Sequence, residues 1–256
     1  MSEFEGRVAL VTGAGSGIGR ATALAFATAG ARVAVCDIDE RRGEETAAHA
    51  GADAVFLRAD MSEPAQVAAV IRACTDRFGR LDYVHNNAGT AGDAAPLHEL
   101  SEDSWNRTLA VNVTGAWLCL KYALRAMRDA HGEGRAVVNT ASVAAEFGFR
   151  GLAAYCASKA AVATLTRVAA LENADVGIRV NAVSPGMIAT PMTAPGGDGL
   201  VAGPAPAGRM GTPDEVAAAV LWLCSDAASY VNGTCLVIDG GWTATVGPRH
   251  GTAAHG

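Results

Sequence analysis

The run T-G-A-G-S-G-I-G (12–19) joins two segments of different periodicity and constrains the fold more than any other stretch. Before it, R-V-A-L-V-T (7–12) is a short apolar run of strand type. After it a helical pattern continues to Ala29, Gly30 closes it, and R-V-A-V-C-D opens a second strand ending at Asp37. Strand, glycine-rich turn, helix and strand within about thirty residues make a βαβ unit. Gly13, Gly17 and Gly19 let the backbone turn tightly and approach a pyrophosphate, which would rest on the free amides of the helix start around Ser16 and Ile18.

Asp37 narrows the expected ligand. An acidic side chain at the end of the second strand accepts hydrogen bonds from an adenosine ribose and repels a 2′-phosphate. Ser16 and Ile38, where a phosphate site would gain from arginine or lysine, are uncharged, and Arg41 and Arg42 fall on the exposed first turns of the next helix. NAD rather than NADP is the expected cofactor. The competing reading makes Asp37 a turn or cap residue before Asp39.

The alternation then repeats. A-V-F-L-R-A-D (54–60) reads as a third strand with Asp60 and Met61 at its end; Asp60 either caps the helix that starts with Pro64 or touches the adenine. L-D-Y-V-H-N-N-A-G (81–89) is a fourth strand running into Asn87, Ala88 and Gly89, which let the chain pass close to a flat ligand. His85 within it reads as packing. From Ser101 to Met127 the periodicity is that of one long helix, with Asn112 in its middle as either a hydrogen-bonded core amide or a local distortion. Strands follow at 135–142, 178–186 (ending in Pro185 and Gly186) and 234–241, with a helix over 152–171. This predicts an α/β fold: one doubly wound parallel sheet in a single domain over 1–246, then a flexible tail over 247–256. Residues 190–211, rich in Gly, Pro and Ala, suit a mobile lid with Met192 and Leu200 as its main apolar side chains.

Composition excludes several classes. Half of the 256 residues are hydrophobic, which rules out disorder for the whole, and a net charge of −6 with no basic run argues against nucleic acid or an anionic membrane as partner. The six cysteines are scattered without metal-ligand spacing, so no metal site and no disulfide framework is expected. The polar, acidic start is unlike a signal peptide and no apolar run is long enough to span a bilayer, so a reducing cytoplasm is the expected compartment.

One stretch carries chemistry. The fifth strand ends N-T-A-S, and Y-C-A-S-K follows after a short loop. The four-residue step from Tyr155 to Lys159 puts both on one helix face, where the cation favours phenolate and lowers the phenol pKa. Ser142 leaves the C-terminal end of its strand, the sheet edge where ligands collect. A tuned phenol with a hydroxyl to hold a substrate oxygen is an acid/base device for an alcohol. The plain alternative is a Tyr–Lys pair that decorates a helix, but the chain has only two lysines, Lys121 and Lys159.

Together T-G-A-G-S-G-I-G, N-N-A-G (86–89), Asn112, Ser142, Y-C-A-S-K (155–159) and P-G (185–186), in this order and spacing, resemble the short-chain dehydrogenase/reductase family from Gly6 to Thr243. The resemblance implies a seven-stranded Rossmann sheet of order 3-2-1-4-5-6-7 and a catalytic tetrad of Asn112, Ser142, Tyr155 and Lys159. Tyr155 would be the general acid/base, Ser142 would hold the substrate oxygen, and Lys159 would lower the tyrosine pKa and bind the nicotinamide ribose. Asn112 would hold a water that links Lys159 to solvent. Asn87, Ala88, Gly89, Ile188 and Thr190 would lie along the cofactor, with Pro185 and Gly186. A homotetramer packed through the long helices 104–128 and 155–172 is implied as well.

By the family's geometry Ala144, Phe147, Phe149, Met187 and Met192 would wall the substrate pocket with Ser142 and Tyr155; Ala91, Glu146 and Leu152 are further candidates. Mostly apolar walls favour a small or medium neutral secondary alcohol or ketone, possibly cyclic or a diol, oxidised or reduced with NAD(H). The alternative within the family is a 3-oxoacyl-(carrier protein) reductase, which P-A-G-R-M-G (206–211) resembles; Asp37 and the acidic surface stand against it. The alternative from another class is a non-catalytic NAD(H) sensor, which would have no use for Tyr155 and Lys159.

Overall fold

The computed structural model describes residues 3–129, 134–194 and 205–244; the predicted tail over 247–256 lies outside them. Seven strands, β1 (Val8–Thr12), β2 (Arg32–Asp37), β3 (Ala54–Arg58), β4 (Tyr83–Asn86), β5 (Arg135–Thr140), β6 (Ile178–Pro185) and β7 (Cys235–Ile238), form one sheet. Its order is β3-β2-β1-β4-β5-β6-β7 and every pairing is parallel. This is the expected doubly wound topology.

Parallel strands require crossovers, and helices supply them on both faces. Alternate strand residues divide between the two layers. Val8, Leu10, Ala34, Cys36, Val84 and Val137 pack towards α3 (Pro64–Phe78), α5 (Ala116–Asp129) and α6 (Ala153–Asn173). Ala9, Val11, Val33, Val35, Tyr83 and Val138 pack towards α1 (Gly17–Thr28), α2 (Glu40–Ala50) and α7 (Pro213–Cys224). Strands buried on both faces read as continuous apolar runs, which is why they were visible in the sequence.

Two departures have local causes. The predicted single helix over 101–127 is α4 (Glu102–Leu109), a π-helical stretch (Ala110–Gly115) and α5. The wider turn carries Asn112, whose side chain donates to the Thr90 carbonyl (2.8 Å) and to Ser158 Oγ (3.0 Å) and accepts from the Thr90 amide (2.8 Å). The distortion and the core amide are thus one feature. Helix α7 was missed although T-P-D-E announces it: Thr212 accepts from the Glu215 amide, Glu215 accepts from the Thr212 amide, and proline follows the cap.

At the opposite sheet edge, Asp82 is buried and accepts from Arg80 Nε (2.7 Å), Arg80 Nη2 (2.5 Å), Arg7 Nη1 (3.1 Å) and the Val8 amide (2.9 Å). It therefore clamps the segments entering β1 and β4. Among the described residues no helix is long and apolar enough to cross a membrane, and no group of three His, Cys, Asp or Glu is placed to hold a metal ion. All six cysteines are free.

Removing the clamp takes the Asp82 acceptor from the Val8 amide and from the Arg80 and Arg7 guanidinium groups. Asp82→Ala is expected to lower unfolding stability by about 3 kcal/mol, read as the shift in urea midpoint at unchanged slope.

Candidate active site

A cavity of about 440 Å³ opens at the sheet edge where the parallel strands end, lined from Gly13 and Asp37 at one extreme to Phe149 and Trp242 at the other. The glycine turn forms its first wall. Gly13 and Gly17 have φ of +63° and +51°, which only glycine adopts readily. A Cβ on Gly13 would lie 2.9 Å from the Ala88 Cα, and one on Gly19 would overlap the Gly13 carbonyl oxygen. Gly19 therefore does not line the cavity; it lets α1 approach the turn.

The start of α1 is left open. Ser16 is its N-cap but makes no side-chain capping bond, and the first turn carries no acidic residue. The leading amides and the positive end of the helix dipole face the cavity unspent by side chains, a setting that favours an anion. Asp37 Oδ2 accepts from the Gly15 amide (2.7 Å) and Oδ1 from the Asp39 amide (2.9 Å). Its carboxylate stays at the cavity wall, while Arg41 pairs with Glu45 (2.6 Å) and Arg42 with Asp39 (3.4 Å). Asp60, left open between two uses, lines the cavity with Met61 and also accepts from Ser62.

Ser142, Tyr155 and Lys159 meet at the centre of the cleft, and all three are buried. Ser142 Oγ accepts from the Ala144 amide (3.1 Å) and donates to the Pro185 carbonyl (3.5 Å). Lys159 Nζ donates to the Thr140 carbonyl (2.8 Å) and sits 5.6 Å from the Tyr155 ring centroid. Burial raises the Tyr155 phenol and the Ser142 hydrogen bond opposes it. Burial lowers the Lys159 ammonium to about 8. Spacing on the helix predicted the proximity of the pair but not the desolvation, which acts against both charged forms.

Of the predicted cofactor set, Ser16, Ile18, Asn87, Ala88 and Gly89 line the cavity, as do Pro185, Gly186, Ile188 and Thr190. Asn112, the fourth member of the expected tetrad, does not line the cavity: its side chain is spent on Thr90 and Ser158, though a Cβ on Gly89 would meet both its Oδ1 (3.2 Å) and Lys159 Nζ (3.5 Å). Among substrate candidates Ala144, Phe149, Met187 and Met192 line the cleft. Phe147 does not; it is 46% exposed on the loop after β5. Glu146 is exposed as well, Ala91 and Leu152 are buried and do not line the cleft, with Leu152 packed behind Ala144 and Tyr155, and Leu200 lies outside the described residues.

Trp242 was missed. Gly240 and Gly241, at φ of +63° and +84°, turn the chain after β7, and Asp239 holds the turn by accepting from Gly241 N (2.9 Å) and Thr243 N (2.7 Å). Trp242 then reaches Phe149, with ring centroids 5.4 Å apart. The available signal was D-G-G-W at the end of a parallel strand, on the ligand side of the sheet.

Comparisons with known proteins point to one family. A family model described as enoyl-(acyl carrier protein) reductase matches residues 13–243. The chain is 43% identical over 250 residues to a 2,5-dichloro-2,5-cyclohexadiene-1,4-diol dehydrogenase of Sphingobium indicum, covering 95% of this chain and 100% of the relative. It is 45% identical over 250 residues to a cis-4-hydroxycyclohexanecarboxylate dehydrogenase of Sinomonas cyclohexanicum, covering 94% and 98%. The crystal structure of a 3-ketoacyl-(acyl-carrier-protein) reductase from Brucella melitensis, complexed with NADH, superposes with a TM-score of 0.87 at 33% identity, covering 94% of this chain and 99% of that one.

Because the Lys159 ammonium is depressed from 10.5 to about 8 by burial, the unfolded chain holds the extra proton between those pH values and the folded one does not. Stability contributed at this position is therefore lowest below pH 8 and is recovered as pH rises through the window. Relative to Lys159→Met, the parent protein is expected to gain about 3 kcal/mol of unfolding free energy between pH 8 and pH 10.5, measured by urea titration at both ends.

Proposed function

The chain belongs to the short-chain dehydrogenase/reductase family, and from that premise we propose that it interconverts a neutral cyclic secondary alcohol and its ketone with NAD(H). The observation that carries this reading is the meeting of Tyr155, Ser142 and Lys159 in one cavity that also holds the open start of α1, Asp37 and an aromatic far wall. The residues present fit a nicotinamide dinucleotide. The glycine cradle has no room for side chains, the α1 amides suit the pyrophosphate, and Asp37 suits an unphosphorylated ribose. Bound NAD supplies the hydride acceptor, and NADH the donor.

This chain's own residues manage the proton and the substrate oxygen. Tyr155 gives or takes the proton of the substrate hydroxyl. Ser142, fastened by the Ala144 amide, holds the same oxygen. Lys159, fastened to the Thr140 carbonyl, presents a positive charge that favours the phenolate as it forms. Asn112 serves as a positioning residue through Thr90 and Ser158. The far wall, Phe149 and Trp242 with Met187 and Met192, excludes water and offers flat apolar faces to a ring.

Among the described residues Lys159 is the only cation lining the cavity, so no cationic side chain beyond the catalytic centre lines it to clamp a substrate phosphate or carboxylate. The relatives named for cyclic alcohols are also more similar in sequence than the NADH-bound ketoacyl reductase. Arg209, in the segment that resembled carrier-protein reductases, pairs with Glu215 at the start of α7 (2.6 Å), which supports a capping role. Free thiols fit a reducing cytoplasm as the compartment. The homotetramer would use the outer faces of α5 and α6, where half-exposed Trp117 lies beside Ala160, Ala161 and Leu165.

NADH formation from a panel of cyclohexanols, linear polyols and 3-hydroxyacyl thioesters, with NADP in parallel, tests this reading; preference for the thioesters with NADP would replace it, and tight NADH binding without turnover of any would favour a sensor. Tyr155→Phe should lose roughly 10³-fold in kcat while still binding NADH in a fluorescence titration. Asp37→Asn should narrow the preference for NAD over NADP by at least about tenfold in kcat/KM. Trp242→Ala should raise KM for a cyclic alcohol about tenfold with kcat little changed, since it removes one apolar face from the bound ring.

A further inference from the structure

One buried polar group is not used by this mechanism. His85 lies in β4, fully buried among apolar neighbours, on the sheet face that carries Tyr83 and α1. It pairs with Val138 of β5, which makes Thr140 its diagonal neighbour on the same face. His85 Nε2 lies 2.9 Å from Thr140 Oγ1, and Thr140 Oγ1 lies 3.1 Å from Asn87 Oδ1.

Counting protons orients the set. Asn87 Nδ2 donates to the Thr12 carbonyl (3.1 Å) and the Gly13 carbonyl (3.3 Å), so its Oδ1 is an acceptor. Thr140 has one hydroxyl proton and gives it to that oxygen. It must then accept from His85, so Nε2 carries the imidazole proton. Complete burial keeps His85 neutral by lowering it to about 3. Nδ1 is then a bare acceptor, and it is indeed a buried atom without a partner among the described residues. An apolar side chain of similar size would fill this place without offering Thr140 a donor, so packing alone does not account for the imidazole.

We propose that His85 is a positioning residue for the cofactor cleft: through Thr140 and Asn87 it locks the glycine turn to the ends of β4 and β5. Three walls of the cleft converge on this relay. Asn87 holds the carbonyls of the turn after β1, and its own amide and that of Ala88 donate to Thr12 Oγ1 (2.9 and 3.1 Å). Thr140 lines the cleft and offers its carbonyl to Lys159. Without the histidine donor, the Thr140 hydroxyl keeps only its bond to Asn87, and both the turn and the lysine anchor lose a constraint. The inference rests on reading the cleft as a dinucleotide site, and its test separates the two.

NADH affinity is measured by fluorescence titration for His85→Phe, Thr140→Val, the double variant and His85→Gln, with thermal unfolding of each alongside. Expected are about fivefold weaker binding for each single variant, a double variant no weaker than either, and His85→Gln within about twofold of the parent because its amide can donate in place of Nε2. Additive losses in the double variant, or lowered unfolding temperature with unchanged affinity, would overturn the relay. Independently, ¹⁵N-histidine NMR of the ligand-free protein should show His85 protonated on Nε2 and bare on Nδ1; the opposite tautomer overturns the proposal whether or not the chain binds NADH. Failure of the parent protein to bind NADH would instead sink the dinucleotide reading, leaving the tautomer to decide the relay.

Discussion

Seven parallel strands finish at the same sheet edge, so backbone and side-chain polar groups accumulate there while the edge must stay open enough to admit a ligand. The structure resolves this with buried amides and hydroxyls instead of further strand pairing. On the α6 face Asn86 Nδ2 donates to Asn139 Oδ1 (2.9 Å), and Asn139 Nδ2 to Thr166 Oγ1 (2.9 Å). On the α1 face His85, Thr140 and Asn87 form the matching chain. Away from that edge, in the middle of β6, Asn181 fixes the segment entering β7 by donating to the Val231 carbonyl (2.8 Å) and accepting from the Thr234 amide (3.1 Å). The ends of β4 and β5 are therefore braced on both faces of the sheet, beside the cleft.

Electrostatic cost is concentrated at one place. Lys159 is a buried cation whose hydrogen-bond acceptor is a backbone carbonyl and not a carboxylate, and burial opposes the charged forms of both Lys159 and Tyr155. A carboxylate beside the ammonium would hold it charged but would repel the phenolate and weaken the lysine's influence on it. Sparing the carboxylate keeps the two groups responsive to each other, at an expense in stability that the apolar layers on both sheet faces sustain. The buried cysteines are unlike this pair: desolvation alone raises Cys119, and in Cys36, Cys74 and Cys224 it is the largest influence, which leaves them inert core residues.

Much of this could be read along the chain, for reasons that differ by element. The βαβ start was legible because a tight turn beside a helix N-terminus tolerates only glycine at Gly13 and Gly17, and the central strands because burial on both faces leaves unbroken apolar runs. Tyr155 and Lys159 were legible because a helix makes i and i+4 neighbours. Phe147 and Phe149 were not distinguishable, since the loop after β5 has no period that tells which ring turns inward; only Phe149 does. Asn112 was recognised as unusual, either a core amide or a local distortion, and the choice between them was not legible because the π turn makes it both, with its amide on Thr90 and Ser158.

What the sequence determined by itself is what local rules govern: the alternation of strand and helix, the glycine-rich turn, the acidic residue that ends β2, and the spacing that puts a phenol beside an ammonium. Tertiary structure decided what depends on segments far apart in the chain. It brought Trp242 against Phe149, set His85 beneath Thr140 and Asn87, and buried Lys159 deeply enough to bring its pKa to about 8. Desolvation and side-chain proton bookkeeping depend on everything that surrounds a group, and no local pattern encodes that surrounding until the sheet has closed over it.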